Sequence, residues 1–230
     1  MNNKNKVYEN TLIIGAGSLS GWLALALAKQ QMLKNVTIYD DDMISSYNHY
    51  NQVFFKEANP TISKAHVLHS LVRGNISRNY HIIDFTEKFT LSQFNTLSVY
   101  DLIIYGADTQ TLLIEMFDYF GTNSSKAYIA DFITAALSLD DNGNECGNFA
   151  YFNLLQDNYR EAFKTAFCYS DDSALEHHPT SPCGGVQAHE RPVEPLLYLT
   201  SNLVSLAKHK QSGLYNYYKQ DNIYTSERLM

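Results

Sequence analysis

Cysteine is scarce in this chain: Cys146, Cys168 and Cys183 are the only three in 230 residues, with no C-x-x-C spacing among them. An odd, unpaired set excludes a structural zinc built from paired cysteines. It points to a cytoplasmic chain with free thiols rather than a disulfide framework. His177, His178, Cys183 and His189 lie near one another in sequence, but their spacing matches no standard zinc pattern. No apolar run approaches the ~20 residues that cross a bilayer, so no membrane segment is expected. The opening MNNKNKVYEN lacks the apolar core of a signal peptide. A basic block is missing too: Lys+Arg 17 against Asp+Glu 24 leaves a net charge of −7, which argues against a nucleic-acid surface. There is no fixed-period repeat and no low-complexity tract. The Tyr-rich end GLYNYYKQDNIYTSERLM reads as compositional bias and is assigned no element.

What is present is an ordinary globular composition, 45% hydrophobic and 18% charged, long enough for one domain with a substantial core over 1–230. Apolar runs flanked by turn residues alternate with helical patterns. Strands are expected at TLIIG, NVTIYD, YHIIDF, YDLIIYGA and AYIADF, and helices over Leu19 to Leu33, Ile62 to Val72, LSQFNTL and Thr109 to Phe120. Continuous apolar strands separated by helices indicate a parallel sheet covered on both faces. Beyond Asp131, two strand-like runs flank DDNGN, a hairpin signal. Helical pieces follow at Tyr159 to Ala166 and Val193 to Lys208. The expected fold is α/β: a doubly wound, mostly parallel sheet with an antiparallel hairpin extension. The first part, about 11–131, would bind a nucleotide; hairpin, crossover and closing helix fill about 132–230.

GAGSLS supplies Gly15 and Gly17 of a G-x-G-x-x-G turn between a strand and a helix, with Ser18 between them and the third position and Ser20 at that third position. The first glycine permits the tight turn, and the second lets backbone N–H groups approach a phosphate at the helix N-terminus. Asp40 ends the second strand, where a ribose hydroxyl would sit. An acid there does not separate NAD from ATP. The residues after it read D-x-D-x-I-x-x-Y-N-x-x-N-Q, and Lys64 and then Asp108, at the tip of the fourth strand, follow in order.

This ordered set closely resembles the ThiF/MoeB/ubiquitin-activating enzyme superfamily, whose pattern is D-x-D-x-[VI]-x-x-S-N-x-x-R-Q followed by a helix-borne lysine and an aspartate. Asp40, Asp42, Ile44, Asn48, Gln52, Lys64 and Asp108 match without a gap, and the resemblance covers about Thr11 to Asp131. It implies ATP and Mg2+ as cofactors and adenylation of a carboxylate, usually the C-terminal glycine of a small ubiquitin-like or sulfur-carrier protein. By position it implies that Lys64 contacts phosphates, Asp108 holds magnesium and Asp40 takes the ribose hydroxyls. Asn48 and Gln52 would then position phosphate or the loop itself. A homodimer is implied by the family alone. Without the resemblance, Lys64 reads as a solvated helix lysine, Asp108 as the N-cap of the next helix, and Asp41 as an exposed acid.

Two departures stand out. The family's phosphate-binding arginine falls on Asn51, which carries no charge, with Lys4, Lys6 or Lys56 as the available compensating cations. Ser18 and Ser20 replace glycines of the usual turn, and their hydroxyls are candidates for phosphate contact. The segment TSPCGGVQAHERPV loosely resembles short stand-alone ThiF-type proteins, including those of PRTRC systems, and this makes Cys183 a candidate thiol for capturing an adenylated carrier. Cys168 is expected to pack among aromatics and Cys146 to lie at the surface. Two rivals remain: a non-catalytic ThiF-like partner or scaffold, and an NAD(P)-dependent oxidoreductase, which would give no reason for Lys64 or Asp108.

Overall fold

The computed structural model describes residues 6–45, 52–53, 61–122, 130–139, 144–167, 193–220 and 223–230. Its centre is an eight-stranded sheet: β1 (Tyr8–Ile14), β2 (Leu33–Tyr39), β3 (Ile82–Phe85), β4 (Leu102–Tyr105), β5 (Asp131–Leu139), β6 (Glu145–Asn153), β7 (Gly213–Gln220) and β8 (Ile223–Arg228), in the order β3-β2-β1-β4-β5-β6-β7-β8. The first five in that order run parallel; β6, β7 and β8 are antiparallel additions.

The central strands are apolar throughout because both faces are covered. On β4, Leu102 and Ile104 enter one core while Ile103 and Tyr105 enter the other. One face carries α1 (Ser18–Lys29), α2 (Lys64–Arg73) and α5 (Glu194–His209), whose Leu23, Leu27, Leu68, Leu199 and Leu203 are all fully buried. The other carries α3 (Gln110–Thr122), α4 (Asp157–Phe167) and a 3-10 helix over Leu91–Val99, with Met116, Phe117 and Phe163 packed on Phe132 and Phe152. Each such side chain contributes about 1.5–3 kcal/mol on burial. Among the described residues no helix is long and apolar enough to cross a membrane.

Three expectations need correction. Leu33 begins β2 rather than ending α1: the helix stops at Lys29, Gln31 turns left-handed at φ 57°, and Met32 N–H closes on the Leu27 carbonyl at 3.0 Å. The predicted fifth strand and the first arm of the hairpin are one element, β5, which runs from Asp131 into the hairpin with nine register pairs to β6. The Tyr-rich end is not mere bias but a further hairpin, β7–β8. Leu214 and Tyr217 are buried there, Tyr215 stacks on Phe149 at 4.8 Å, and Tyr224 stacks on Tyr198 at 5.2 Å.

Asp131 and Thr134 of β5 are satisfied inside the sheet. Asp131 accepts from Tyr8 Oη at 3.1 Å, Tyr151 Oη at 2.7 Å, Asn153 Nδ2 at 3.2 Å and the Lys6 ammonium. Thr134 Oγ1 donates to the Tyr105 carbonyl at 2.9 Å.

Candidate functional site

The chain leaves β3 to return on the far side of β1 as β4, so the sheet's winding reverses between β1 and β4. A crevice opens there beyond the C-terminal ends of the strands, the usual ligand position in such sheets. Gly15 sits at its base with φ 83°. A β-carbon on it would lie 2.7 Å from Ala107 N and 2.8 Å from Gly106 C, so backbone meets backbone here and only glycine fits. Ser20, in the position of the motif's third glycine, is buried and its hydroxyl donates to the Gly15 carbonyl. Its hydroxyl is thus spent on the turn, not aimed at a ligand as the sequence suggested. Gly17 is the N-cap of α1, with no side chain and no acidic residue in the first turn after it. The helix therefore presents its N-terminal N–H groups and the positive end of its dipole to the crevice.

Asp40, just past β2, is fixed by two backbone donors: Ala16 N–H to Oδ2 at 2.6 Å and Asp42 N–H to Oδ1 at 2.8 Å. Burial pushes its carboxyl above the usual carboxylate range, opposed by those two N–H groups and by the Lys64 charge. Lys64 is the first residue of α2, behind the N-cap Ser63, whose hydroxyl accepts from His66 N at 3.1 Å. Its backbone N–H bonds the Asp42 carbonyl at 3.0 Å, and its ammonium bonds Asp42 Oδ2 at 2.6 Å. Lys64 is only 12% exposed in its side chain, so it is not the solvated helix lysine of the alternative reading.

Asp108 lies two residues before α3 and is exposed; the Thr109 hydroxyl donates to its Oδ1 at 3.5 Å. Its carboxylate lines the cleft. Gln52 is buried, and its Oε1 has no hydrogen-bond partner among the described residues. Asn48, Asn51 and Cys183 lie outside the described residues, as do Cys168, Lys4, Lys56 and the histidines near Cys183. Cys146 is half-buried. Lys6 pairs with Asp131 at the start of β5, the opposite end of the strands, and so does not supply charge to the crevice.

Together these residues line one cleft of about 340 Å³: Gly15, Gly17, Ser18, Asp40, Asp42, Gln52, Lys64 and Asp108 all face it. Tyr39, Phe89, Leu112 and Leu113 form an apolar wall, and Thr134, Ala135, Ala136 and Asn148 continue it over β5 and β6. Sequence reasoning missed Lys88, which also lines the cleft and pairs with Asp41 at 3.8 Å. No motif marks it; only the return of the chain after β3 brings it there.

The model of the ThiF family matches residues 6–159. No curated protein matches the chain. Among solved structures, E. coli MccB with ATP superposes with a TM-score of 0.59 at 13% identity, over 96% of this chain and 64% of that one. E. coli tRNA N6-threonylcarbamoyladenosine dehydratase, TcdA, gives a TM-score of 0.58 at 18% identity over 88% and 85%. PaaA gives 0.65 at 13% identity over 96% and 73%. At these identities the likeness shows the fold, and the chain spans about 64% of the length of that MccB.

Proposed function

This chain belongs to the ThiF family, and from that premise we propose that its cleft binds ATP with magnesium and adenylates a substrate carboxylate, the C-terminal carboxylate of a small ubiquitin-like or sulfur-carrier protein. The observation that carries the proposal is the convergence of the α1 N-terminus, Asp40, Lys64 and Asp108 on one cleft. The whole chain, 1–230, would act as one adenylation domain, working as a homodimer.

In the proposed reaction a carboxylate oxygen attacks the α-phosphorus. The new C–O–P bond forms as the bond from that phosphorus to the bridging oxygen breaks, and pyrophosphate leaves with the electron pair. Asp40 would accept from the ribose hydroxyls, since its two oxygens are already oriented by Ala16 and Asp42. The first-turn N–H groups of α1, beside Gly17 and Ser18, would receive phosphate oxygens. Lys64 would release Asp42 and neutralise charge on the departing pyrophosphate. Asp108 fits a magnesium ion because it offers a hard, exposed carboxylate at the cleft, and the ion when bound would neutralise phosphate charge there. Gln52 Oε1, buried and without a partner among the described residues, suits a bound donor, and Asn48 and Asn51 would assist. The small side chains of Ala135 and Ala136 suit a thin, glycine-rich tail reaching the phosphates. Cys183 would capture the acyl group as a thioester, displacing AMP.

One observation favours a second, non-catalytic reading. The cleft lining carries four carboxylates, Asp40, Asp41, Asp42 and Asp108, against two lysines, Lys64 and Lys88, among the described residues. That balance is poor for neutralising the charge that develops as pyrophosphate departs. ATP–pyrophosphate exchange with a small protein ending in Gly-Gly separates the two. Exchange that requires the carrier, ATP and magnesium, and stops when the tail is shortened by one residue, is expected. ATP binding with no exchange for any such carrier would favour the partner role, and binding of NAD in place of ATP would favour an oxidoreductase.

A further inference from the structure

The three consecutive acids after β2 acquire distinct tasks in the fold. Asp40 holds its carboxylate on the Ala16 and Asp42 N–H groups, Asp42 holds Lys64, and Asp41 holds Lys88. Both lysines of the described cleft lining are thus neutralised by neighbouring members of one acidic run. Their grip differs. Lys64 is nearly buried and bonded at 2.6 Å, whereas Lys88 is 74% exposed, 3.8 Å from a half-exposed Asp41, and free to swing on its four-carbon stem.

A nucleoside triphosphate brings about four negative charges into a cleft already lined by four carboxylates. Position 51 supplies no cation, being asparagine, and Lys6 is committed to Asp131 at the far end of the strands. Lys88 is then the loosely held positive charge left at the described rim. We propose that Lys88 is a nucleotide-binding residue: it leaves Asp41 on binding and contacts the phosphate groups, supplying charge that position 51 lacks. Asp41 is its resting partner and a competitor of the phosphate. This inference rests on the proposed ATP site.

The test is titration of the 230-residue chain with ATP, AMP and adenosine, each with magnesium, for wild type, Lys88→Ala, Lys88→Arg, Asp41→Asn and the Asp41→Asn/Lys88→Ala double variant. Lys88→Ala is expected to weaken ATP roughly five- to tenfold, an exposed charge-assisted contact, while adenosine binds unchanged. Lys88→Arg restores ATP affinity, and Asp41→Asn tightens ATP binding alone but not in the double variant with Lys88→Ala. Circular dichroism confirms that each variant is folded. If wild type binds ATP but Lys88→Ala binds it equally well, or loses ATP and adenosine by the same factor, Lys88 does not serve the phosphates. If wild type binds no nucleotide at all, the proposed function falls, and this inference with it.

Discussion

Replacing Gly15 by alanine adds one methyl group where β1 turns into α1 against the end of β4. The cost has two parts. The backbone sits at φ 83°, which a β-carbon disfavours by about 1–2 kcal/mol. The new carbon also meets Ala107 N at 2.7 Å, Gly106 C at 2.8 Å and Ala107 Cα at 2.9 Å, all backbone atoms with no flexible end to give way. Forced shifts of that kind cost about 1–3 kcal/mol. The sum, about 2–5 kcal/mol, is a large share of a typical stability of about 5–15 kcal/mol. For a domain of this size it lowers Tm by roughly 5–20 °C. Gly17→Ala is the internal control: its φ is −75° and the nearest atom to an added carbon is Gly106 O at 3.7 Å. Its stability cost stays under about 1 kcal/mol, the loss of a favourable N-cap residue. Urea denaturation of the two variants beside wild type reads the difference. Equal stability for Gly15→Ala and Gly17→Ala would refute the close-approach account of this turn.

Asp131→Ala removes the shared acceptor of Tyr8, Tyr151, Asn153 and Lys6. It should cost about 3 kcal/mol in urea denaturation, because buried donors are left without a partner. Asp108→Asn should keep the fold, since asparagine preserves the shape and any N-cap hydrogen bond, yet abolish the magnesium dependence of ATP binding in calorimetry; unchanged magnesium dependence would remove Asp108 from the site. Asp40 titrates above the ordinary carboxylate value chiefly because it is buried. As pH falls through that raised value it gains a proton and loses one acceptor for the ribose. ATP affinity should therefore begin to fall at a higher pH than an ordinary aspartate, about 3.9, would dictate. A flat affinity down to that value would contradict the ribose role.

The alternation of strands and helices was legible because parallel strands buried on both faces read as unbroken apolar runs. Gly15, Gly17 and Asp40 were legible because a tight strand-to-helix turn and an acid ending the next strand leave a local signature. Lys64 and Asp108 needed the longer family register, since neither has a local signal. β5 was read as two strands because Asp131 and Thr134 interrupt its apolar pattern, and the bonds that satisfy them come from residues distant in sequence. The β7–β8 hairpin was missed because tyrosines with polar tips fill the places where aliphatic residues would have shown an alternation. Met32 and Leu33 prolonged the helical periodicity past the left-handed Gln31, which no composition marks. Lys88 and Asp41 are 47 positions apart and meet only through the β2–β3 pairing that sets their loops side by side, so no spacing rule finds them.

The central claim is that this cleft is an ATP site organised around Lys64. Isothermal titration of the wild-type chain and Lys64→Ala with ATP and magnesium, and with NAD, tests it most directly. The account predicts that wild type binds ATP and not NAD, and that Lys64→Ala, folded by circular dichroism, loses at least about tenfold in ATP affinity, as expected for a charge-assisted phosphate contact. Binding of NAD without ATP, or ATP binding untouched by Lys64→Ala, would contradict it.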